Sequence, residues 1–524
     1  ALKGNTECLQ VFLDAGAAME AKNNESMTAL IYAANDGQTR CLRMLIDAKA
    51  DIEARNEKGQ NGLILAALNG HAECLQVLLD AKADVGARNN ERWTALISAA
   101  QNGHTACARI LLDAQADIEA KTEEGDTALM WAALCGHTEF IATLIAANVD
   151  LEARNTDGRT ALICAANEGH PASLQLLIDA QADVNAKNDA CQTALILAAL
   201  QGRAECVRIL LNSKADIDAK ELLGWTPLIC AVLDDNAACA QLLIDGKADL
   251  DAKTDGGSTA LVWCAQRGHT TCLKVLVDAK ADVDITNSNG VRPLMSAADA
   301  GHTECVQILI DAKADVNAEN SDSETALVWA VIQGHAEIAR ILVVAKADLE
   351  VKAYDSRTAL IQAAYNGHSS CLRILVDAKA DLEARNIAGD TALMWATING
   401  HHECMQLLID AKADVDAANS HNHTPLLAAA STGNTLCGQL LLDAKATLEA
   451  RDDDDWTPLM RAAYNGCASF VQLLLEHNAD VDVVSGAGET LLMCAAASGN
   501  EEEDEDTLKI VVDAVRSQYG RSAQ

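Results

Sequence analysis

The sequence predicts an all-α repeat solenoid, and three observations support this fold class. One slot, usually threonine, recurs every 33 residues from Thr28 to Thr490, giving fifteen unit starts with no insertion between them. Each unit carries two short apolar segments at helical spacing. Aromatic residues make up only 3% of the 524-residue chain, which favours thin, closely packed helices over one bulky core. We therefore expect one elongated domain of stacked units.

The unit that begins at Thr358 illustrates each predicted element in order. Leu360 and the alanines three and four residues later form the apolar face of a first helix. Gly367 can adopt positive φ and is predicted to end that helix. Residues 371–376 predict a second helix that is apolar nearly all round, so both of its flanks must be covered. The polar residues 381–390 predict a projecting turn before the next unit.

The unit TALIxAAxxGHxECLxxLLDAxADVxAxN resembles the ankyrin repeat over roughly residues 1 to 500. The resemblance implies helix-turn-helix units with projecting β-turn or hairpin fingers, stacked into a curved superhelical rod. It also implies a concave binding face made of the fingers and the first helices. The family's TPLH tetrapeptide is usually TALI or TALM here, and proline is kept only at Pro227, Pro293, Pro425 and Pro458.

A second departure concerns the glycine that the family places after the second helix. That slot is mostly lysine in this chain, for example Lys49, Lys82, Lys280 and Lys379. If the slot keeps the family's left-handed conformation, each lysine carries a backbone strain of roughly 1 kcal/mol. A cation at the end of the second helix should offset part of that strain through the helix dipole.

The array is predicted to be continuous over residues 1–500, with an incomplete first repeat. The chain opens inside a repeat, and we expect the natural protein to continue upstream. Residues 501–516 are predicted to be an acidic insertion followed by a capping helix from about Leu508 to Val515, and residues 517–524 a mobile tail. The repeat from Thr226 carries Asp235-Asn236 in place of glycine and its neighbour, which predicts a local change in helix geometry and a possible kink.

The formal net charge is −36 and is spread along the chain. One interpretation is a solvated face that keeps a long array soluble, and another is a docking surface for a partner with basic flanks. Either way, sequence-independent binding to nucleic acid is disfavoured, because that requires a basic surface. No apolar run approaches the length of a membrane span and no signal peptide is present, so direct membrane insertion is not expected.

Eleven of the eighteen cysteines occupy one slot of the second helix. Equivalent slots of adjacent units should lie about 10 Å apart, which is beyond the span of a disulfide. These thiols are predicted to be small buried hydrophobes in a reducing intracellular compartment, with the cytoplasm favoured. No CxxC pair is present, so structural zinc is not expected. The slot holds Cys8, Cys41, Cys74, Cys107, Cys206, Cys239, Cys272, Cys305, Cys371, Cys404 and Cys437.

No phosphate-binding loop, metalloprotease helix or serine-nucleophile motif is present, so we predict neither an enzyme nor a cofactor site. Nine histidines follow the unit glycine, from His71 to His401. The resemblance implies that each bonds the backbone of a neighbouring turn, and a metal or proton-relay role is the alternative. His421 and His423 share one turn without an evident third metal ligand. Residues 452–455 form an aspartate run that is interpreted as a solvated turn.

The seven tryptophans fall in two slots of the unit. Trp93, Trp225 and Trp456 stand one residue before the unit start, where a turn tip is expected. Four others stand four residues after the start, in the first helix, at a slot that elsewhere holds serine, glutamine or arginine. So variable a slot is not expected at the centre of a core. These four are Trp131, Trp263, Trp329 and Trp395.

A third variable slot lies three residues further along the first helix and shares its face. It includes Leu134, Ile332, Ile398, Tyr365 and Tyr464. Together with the tryptophans, these residues are predicted to be apolar anchors for a partner segment in the concave groove. The alternative is that the side chains fill gaps between neighbouring repeats.

The pattern favours a non-catalytic scaffold that binds protein partners. One alternative is a structural spacer or tie in a large intracellular assembly such as the cytoskeleton. Another is the targeting array of a larger enzyme, channel or effector. A partner that contacts many consecutive repeats would favour the spacer, and the complete gene would decide on the targeting array.

Overall fold

The computed structural model describes residues 5–497 and 504–522 of the chain. Within those residues it contains 31 α-helices, one short 3₁₀ helix at Tyr354–Ser356 and no β-strand. Fifteen helices are the first helices of the fifteen predicted units. The predicted all-α repeat solenoid is therefore confirmed.

The first helices of the repeats are α2 (Ala29–Asn35), α4 (Gly62–Leu68), α6 (Ala95–Asn102), α8 (Ala128–Leu134), α10 (Ala161–Glu168), α12 (Ala194–Leu200), α14 (Pro227–Leu233), α16 (Ala260–Arg267), α18 (Pro293–Ala300), α20 (Ala326–Ile332), α22 (Ala359–Asn366), α24 (Ala392–Ile398), α26 (Pro425–Thr432), α28 (Pro458–Tyr464) and α30 (Leu491–Ala496). The second helices are α1 (Thr6–Asp14), α3 (Thr39–Asp47), α5 (Ala72–Asp80), α7 (Thr105–Asp113), α9 (Thr138–Ala146), α11 (Pro171–Asp179), α13 (Ala204–Asn212), α15 (Ala237–Asp245), α17 (Thr270–Asp278), α19 (Thr303–Asp311), α21 (Ala336–Val344), α23 (Ser369–Asp377), α25 (His402–Asp410), α27 (Thr435–Asp443), α29 (Ala468–Glu476) and α31 (Asp504–Ser522).

The recurring threonine is the N-cap of the first helix. In α22 the Thr358 hydroxyl accepts from the Ile361 amide at 3.5 Å, and Gly367 ends the helix at φ +75°. Asn61 performs the same capping role for α4 at 3.0 Å. Arg292 occupies this slot before α18 and makes no side-chain cap bond. The sequence therefore determines where nearly every first helix begins.

The chain divides into two compact units, one of residues 1–264 with 274–281 and the other of residues 265–273 with 282–524. In the former, α4 packs on α2 and α6, and α5 packs on α3 and α7. In the latter, α22 packs on α20 and α24, and α23 packs on α21 and α25. In both units, like helices of successive repeats therefore stack on each other, and the core is a continuous layer between the two stacks.

The buried residues of each repeat follow the predicted apolar pattern. Leu360 and Ile361 are at most 1% exposed, and the two alanines that follow at 363 and 364 are fully buried. Leu372 and Leu375 of α23 are also fully buried. Small alanines let the thin helices approach closely, which is how a chain with few aromatic residues can still pack its interior.

Between repeats, each projecting finger is a short hairpin-like turn. In the finger before α6, the Asn89 amide donates to the Trp93 carbonyl at 3.0 Å. The Asn90 amide donates to the carbonyl of Lys58 in the preceding finger at 3.1 Å. The Glu123 amide repeats this bond one unit later, to Glu91. Backbone bonds therefore tie successive fingers together within each compact unit.

An acidic or amide side chain adds a second bond between fingers. The Glu53 carboxylate accepts from the Asp84 amide of the next repeat at 2.8 Å. Asn185 fills the same slot and accepts from Asp216, also at 2.8 Å. Gly86 stands in this slot in its own repeat and has no side chain to offer. Many of the recurring carboxylates thus have a structural role.

The glycine-to-lysine replacement keeps the left-handed backbone. Lys49, Lys82, Lys280 and Lys379 lie at φ values of 69–71°. A residue with a Cβ atom has a steric cost in this left-handed conformation that glycine does not have. The left-handed backbone on which the predicted strain depends is therefore present at these lysines.

The repeat from Thr226 does not show the predicted change in helix geometry. Asp235 takes a left-handed φ of 54°, as glycine does in the other repeats. The Asn236 side chain donates to the Leu200 carbonyl at 3.0 Å. α14 and α15 have the 7 and 9 residues that many other repeats show. The prediction was wrong because aspartate tolerates positive φ and asparagine supplies the donor that histidine supplies elsewhere.

The repeated histidines bond the backbone, as the family resemblance implied. His71 Nε2 lies 2.9 Å from the Asn35 carbonyl oxygen, and His170 Nε2 lies 2.9 Å from that of Leu134. His368 and Ile332 repeat the contact at 3.0 Å. Each of these rings thus bonds a carbonyl near the C-terminal end of the first helix of the preceding repeat. The role is structural at these positions.

The cysteine slot is buried wherever two helices flank it. Ten of its eleven members, from Cys41 to Cys437, are at most 1% exposed, and only Cys8 is exposed. None of the eighteen cysteines, all of which lie in the described part of the chain, forms a disulfide. Burial raises the pKa of Cys107 and of Cys371 to about 11. These thiols are small apolar core groups and stay protonated at neutral pH.

The C-terminal helix is longer than predicted. α31 spans Asp504–Ser522, whereas the sequence predicted Leu508–Val515, so residues 517–522 of the predicted mobile tail are helical. It packs on α29 and α30. Residues 501–503 of the predicted acidic insertion lie outside the described residues. Leu492 and Met493 are 44% and 59% exposed, although all fourteen preceding repeats bury these two positions, so the polar outer face expected of a cap is incomplete.

Candidate functional site

The three variable slots are brought together at the base of the fingers. We call them the finger slot (one residue before the capping threonine), the inner slot (four residues after it) and the end slot (seven residues after it). Three of their four aromatic contacts join the finger slot or the end slot of one repeat to the inner slot of the next, and the fourth joins the finger slot and the end slot of one repeat. Within each compact unit the slots therefore lie on one surface, here called the slot face.

Two tryptophan pairs show the first type of contact. The ring centroids of Trp93 and Trp131 lie 4.7 Å apart at an interplanar angle of 46°. Those of Trp225 and Trp263 lie 5.6 Å apart at 53°. In both pairs, a finger-slot ring packs on the inner-slot ring of the following repeat. All four tryptophans are half-buried, so each ring both fills a gap and presents a surface.

The finger-slot tryptophans lie below the turn tip rather than on it. The tip beside Trp93 is formed by Asn90 and Glu91, and the Trp93 amide donates to the Asn89 side chain at 2.7 Å. This bond holds Trp93 on the returning arm of the finger. Trp93 was expected at the turn tip, and it lies two residues past the tip.

The end slot contributes tyrosines that are more exposed. Tyr365 is 36% exposed and lies 5.0 Å from Trp395 in an edge contact. Tyr464 is 43% exposed and lies 5.1 Å from Trp456 of its own repeat. Leu134, Ile332 and Ile398 occupy the same slot and are half-buried.

Two arginines lie over these rings. The Arg357 guanidinium is 4.4 Å from the Tyr365 centroid and 4.7 Å from that of Trp395. Arg461 lies 4.7 Å from the Trp456 centroid. Each arginine is paired with an aspartate, Arg357 with Asp355 at 3.1 Å and Arg461 with Asp452 at 2.6 Å. The slot face thus already accommodates guanidinium groups on aromatic rings.

The indole N–H groups of the inner slot differ between repeats. Trp329 Nε1 donates to the finger-slot residue Glu324 at 2.8 Å. Trp131 Nε1 and Trp395 Nε1 are buried and have no acceptor. In those two repeats the finger slot holds a shorter aspartate, and Asp126 instead accepts from Asn155 of the next finger at 2.8 Å. The finger-slot side chain that bonds the indole is thus one methylene group longer than the two that do not.

Three exposed apolar residues near the fingertips escaped the sequence interpretation. Leu222 and Leu223 are 61% and 59% exposed on the finger that also carries Trp225. Ile387 is 74% exposed on another finger. The signal was present in the sequence, because two adjacent leucines stand where most fingers carry polar residues or glycine. These two leucines are exposed apolar side chains on a finger that also carries the half-buried Trp225.

Two of the clefts in the molecule lie on the slot face. One of about 370 Å³ is lined by Trp93, Leu68 and Lys58 among others. Another of about 570 Å³ lies between the fingers 452–456 and 485–489. A third cleft, of about 620 Å³, lies between α29 and α31 and is lined by second-helix residues. The first two clefts have a tryptophan in the wall and are candidates for binding a side chain.

The negative charge is retained on the surface of the molecule. Many recurring carboxylates accept from uncharged amides, as the Asp80 carboxylate does from Gln76 at 2.8 Å. Such bonds fix the side chain and leave its charge in place. Among the described residues, no three or more metal-binding side chains converge on one point. His421 and His423 approach different aspartates, Asp453 at 3.7 Å and Asp452 at 3.6 Å.

Within the described part of the chain, none of the helices has the length and apolar character that a membrane crossing requires. Comparison with curated proteins finds no match to this sequence. A family model described as ankyrin repeats in three copies does match, in overlapping stretches that together span residues 1–515. Successive copies of that model begin in almost every part of the array, for example at residues 1, 114, 237 and 439.

Proposed function

This chain belongs to the ankyrin-repeat family, and on that premise we propose that it is a non-catalytic scaffold that binds a segment of a partner protein on the slot face. Ankyrin repeats generally mediate protein–protein interaction, which supports the general class. In the family the corresponding surface is the concave groove. The observation that carries the proposal is the set of exposed and half-buried aromatic and aliphatic side chains along this face.

The exposed leucines give the proposal its best-defined anchor. Leu222 and Leu223 are more than half exposed on the finger that carries Trp225. A monomer gains little from two leucines in water, whereas an interface gains about 25 cal/mol for each Å² of apolar area that it buries. Anchors of this kind, surrounded by polar residues, are typical of interaction surfaces.

The partner segment is expected to carry lysine or arginine beside its apolar residues. The chain has a net charge of −36, and many of its carboxylates keep their charge because they are bonded to neutral amides. Complementary charge would speed association and select against acidic partners. The buried slot cysteines, which are not linked in disulfides, support a reducing compartment, and we propose the cytoplasm.

The test is recovery of partners from native lysate by the wild-type chain and by a variant with Leu222→Ser and Leu223→Ser. Val344→Ser is the matched control, because Val344 is 73% exposed at the end of a second helix and belongs to no finger. We expect a protein that is retained by the wild type and the control and lost from the double variant. All three chains should melt alike, since the substituted residues are exposed. Identical recovery by all three would reject the Leu222–Leu223 anchor and favour a spacer role.

A further inference from the structure

The cleft between the fingers 452–456 and 485–489 combines aromatic rings with carboxylates. It has a volume of about 570 Å³. Trp456 and Tyr464 provide its aromatic wall, and Tyr464 is 43% exposed. Asp453, Asp454 and Glu489 line the same cleft. A flat cation fits such a combination, since the rings attract it through their faces and the carboxylates accept its N–H groups.

The charge of the cleft is not balanced from within. The one cation in its lining, Arg461, lies nearest to Asp452, at 2.6 Å, and Asp452 is 4% exposed. Arg461 is farther from Asp454, at 3.5 Å. The side chains of Asp453 and Asp454 are 52% and 76% exposed. The lining therefore holds three carboxylates and one arginine, and that arginine lies closest to a fourth carboxylate, Asp452. His421, which is not in the lining, lies 3.7 Å from Asp453.

The chain itself shows which cation suits these slots. Arg461 lies over Trp456, and Arg357 lies over both Tyr365 and Trp395, with each guanidinium paired to an aspartate. Two independent places on the slot face thus stack a guanidinium on aromatic rings beside a carboxylate. A lysine ammonium is more strongly hydrated and cannot stack in this way, and a quaternary ammonium has no N–H group to donate.

We propose that the cleft bounded by Trp456, Tyr464, Asp453, Asp454 and Glu489 binds the side chain of an arginine in the partner segment. The guanidinium packs against the exposed Tyr464 ring and donates to the rim carboxylates. This inference rests on the proposed function, because it presumes a protein partner, and it adds the identity of one partner residue. It also gives the aspartate run at 452–455 a binding role beside the solvated turn.

The test uses the full chain labelled with fluorotryptophan and followed by fluorine NMR. The chain has seven tryptophans, and Trp456→Phe assigns the signal of Trp456. The probe is N-acetyl-arginine amide, compared with the neutral citrulline analogue and with N-acetyl-lysine amide at the same ionic strength. We expect saturable movement of the Trp456 signal with the arginine probe, at affinity roughly tenfold higher than for the other two.

Trp93 is an internal control in the same sample. Its cleft is smaller, about 370 Å³, and Lys58 lies in the lining together with Glu57 and Glu91. We expect its signal to stay in place while that of Trp456 moves. Equal movement of the two signals, or equal responses to arginine and citrulline, would overturn the proposal.

The carboxylates are tested by Asp453→Asn, Asp454→Asn and Glu489→Gln together. Asp452 is left unchanged because it holds Arg461. The triple variant should bind the arginine probe at least about tenfold more weakly. Glu489→Gln alone is the milder variant, because Gln can keep the bond from the Ser485 hydroxyl, now 3.1 Å long. Undiminished binding by a folded triple variant would overturn the proposal.

The probe experiment needs no partner, so its outcome is separate from that of the lysate experiment. Binding of the arginine probe with no leucine-dependent partner would keep the cleft and reject the Leu222 anchor. A leucine-dependent partner with no probe response would keep the scaffold and reject the arginine site.

Discussion

Two fingers of this array share a backbone and differ in surface chemistry. In the finger at 221–225, Glu221 accepts from the amides of Leu223 at 2.8 Å and Trp225 at 3.2 Å. In the finger at 452–456, Asp452 accepts from the amides two and four residues later at 3.0 and 2.9 Å. The first finger exposes leucines at its tip and the second exposes aspartates.

The comparison separates two kinds of residue. The side chain at the start of the finger fixes the turn by accepting two amides, and either glutamate or aspartate can do this. The side chains of the two residues at the tip are more than half exposed, so they can differ between fingers. An array of identical frames can therefore present different binding chemistry from repeat to repeat.

The largest expected effect comes from removing the side chain at the start of each finger that accepts the two backbone amides. Asp452→Ala should cost about 3 kcal/mol, because it also leaves the guanidinium of Arg461, 22% exposed, without its closest carboxylate. Glu221→Ala should cost about 1 kcal/mol, because it removes amide acceptors only. Hydrogen exchange of the two fingers, read by mass spectrometry, measures both losses. Asp452→Asn is the control that keeps the acceptor and removes the charge. Equal losses in the two fingers would break the comparison.

The next prediction concerns the side-chain bond that links each finger to the next, and it tests whether this bond contributes equally in every repeat. Gly86 occupies the slot from which Glu53 and Asn185 bond the next finger. Gly86→Asn should stabilise the array by about 1 kcal/mol, since it restores an acceptor for the Asp117 amide and restricts the unfolded chain. Gly86 is not left-handed, and the nearest atom to an added Cβ is 3.4 Å away. Urea unfolding measures the change, and Gly86→Ala should gain only the part due to chain restriction. No gain over the alanine variant would mean that the inter-finger bond contributes nothing.

The stability of the finger at 452–456 should depend on pH, whereas that of the finger at 221–225 should not. Burial, with the Arg461 charge next in size, lowers the pKa of His423 below its ordinary 6.5, and Asp452 and Asp453 act in the opposite direction. The unfolded chain then binds a proton more readily than the folded finger does. The stability is therefore complete above the unfolded value and is lost as pH falls from there towards the folded pKa.

Hydrogen exchange of residues 452–456, corrected for intrinsic rates, at about pH 7.5 and about pH 5.5 measures this loss. His423→Gln should remove the dependence. His423 acts on Asp452 from the preceding finger, whereas residues 221–225 and their preceding finger, residues 188–192, contain no histidine and should show no such dependence. A loss of similar size in both fingers would assign it to the array as a whole.

The smallest effect on stability is expected from exchanging the two tips. The exchange places aspartates at positions 222 and 223 and leucines at positions 453 and 454. The free energy of unfolding should change by no more than about 0.5 kcal/mol, because all four side chains are more than half exposed. The arginine response at Trp456 should disappear. A large loss of stability would show that the tips belong to the frame.

The fold followed from the sequence because period, capping threonine and buried leucines agree in nearly every repeat. Thr358, Gly367 and Leu360 each took the predicted place. The prediction for Asp235-Asn236 failed because different residues can meet the same backbone requirement. The length of α31 was missed because its final residues lack apolar spacing that would mark a helix.

The candidate site was harder to predict, because its contacts cross from one repeat to the next. Spacing placed Trp131 and Leu134 on one helix face, but it could not show that Trp93 of the preceding finger packs on Trp131. Arg461 was noted only as evidence that its slot tolerates change, and its position over Trp456 needed the structure. A single-repeat pattern carries little information on such pairs.

The buried thiols of the cysteine slot allow the opening of individual repeats to be measured. A pulse of a thiol-alkylating reagent would modify each cysteine only when its own repeat opens, because the closed form buries the group out of reach of the reagent. Peptide mapping after the pulse would then give the opening frequency at ten positions from Cys41 to Cys437, with the exposed Cys8 as the fully reactive reference. Cooperativity along the stack could be mapped in this way without adding any label.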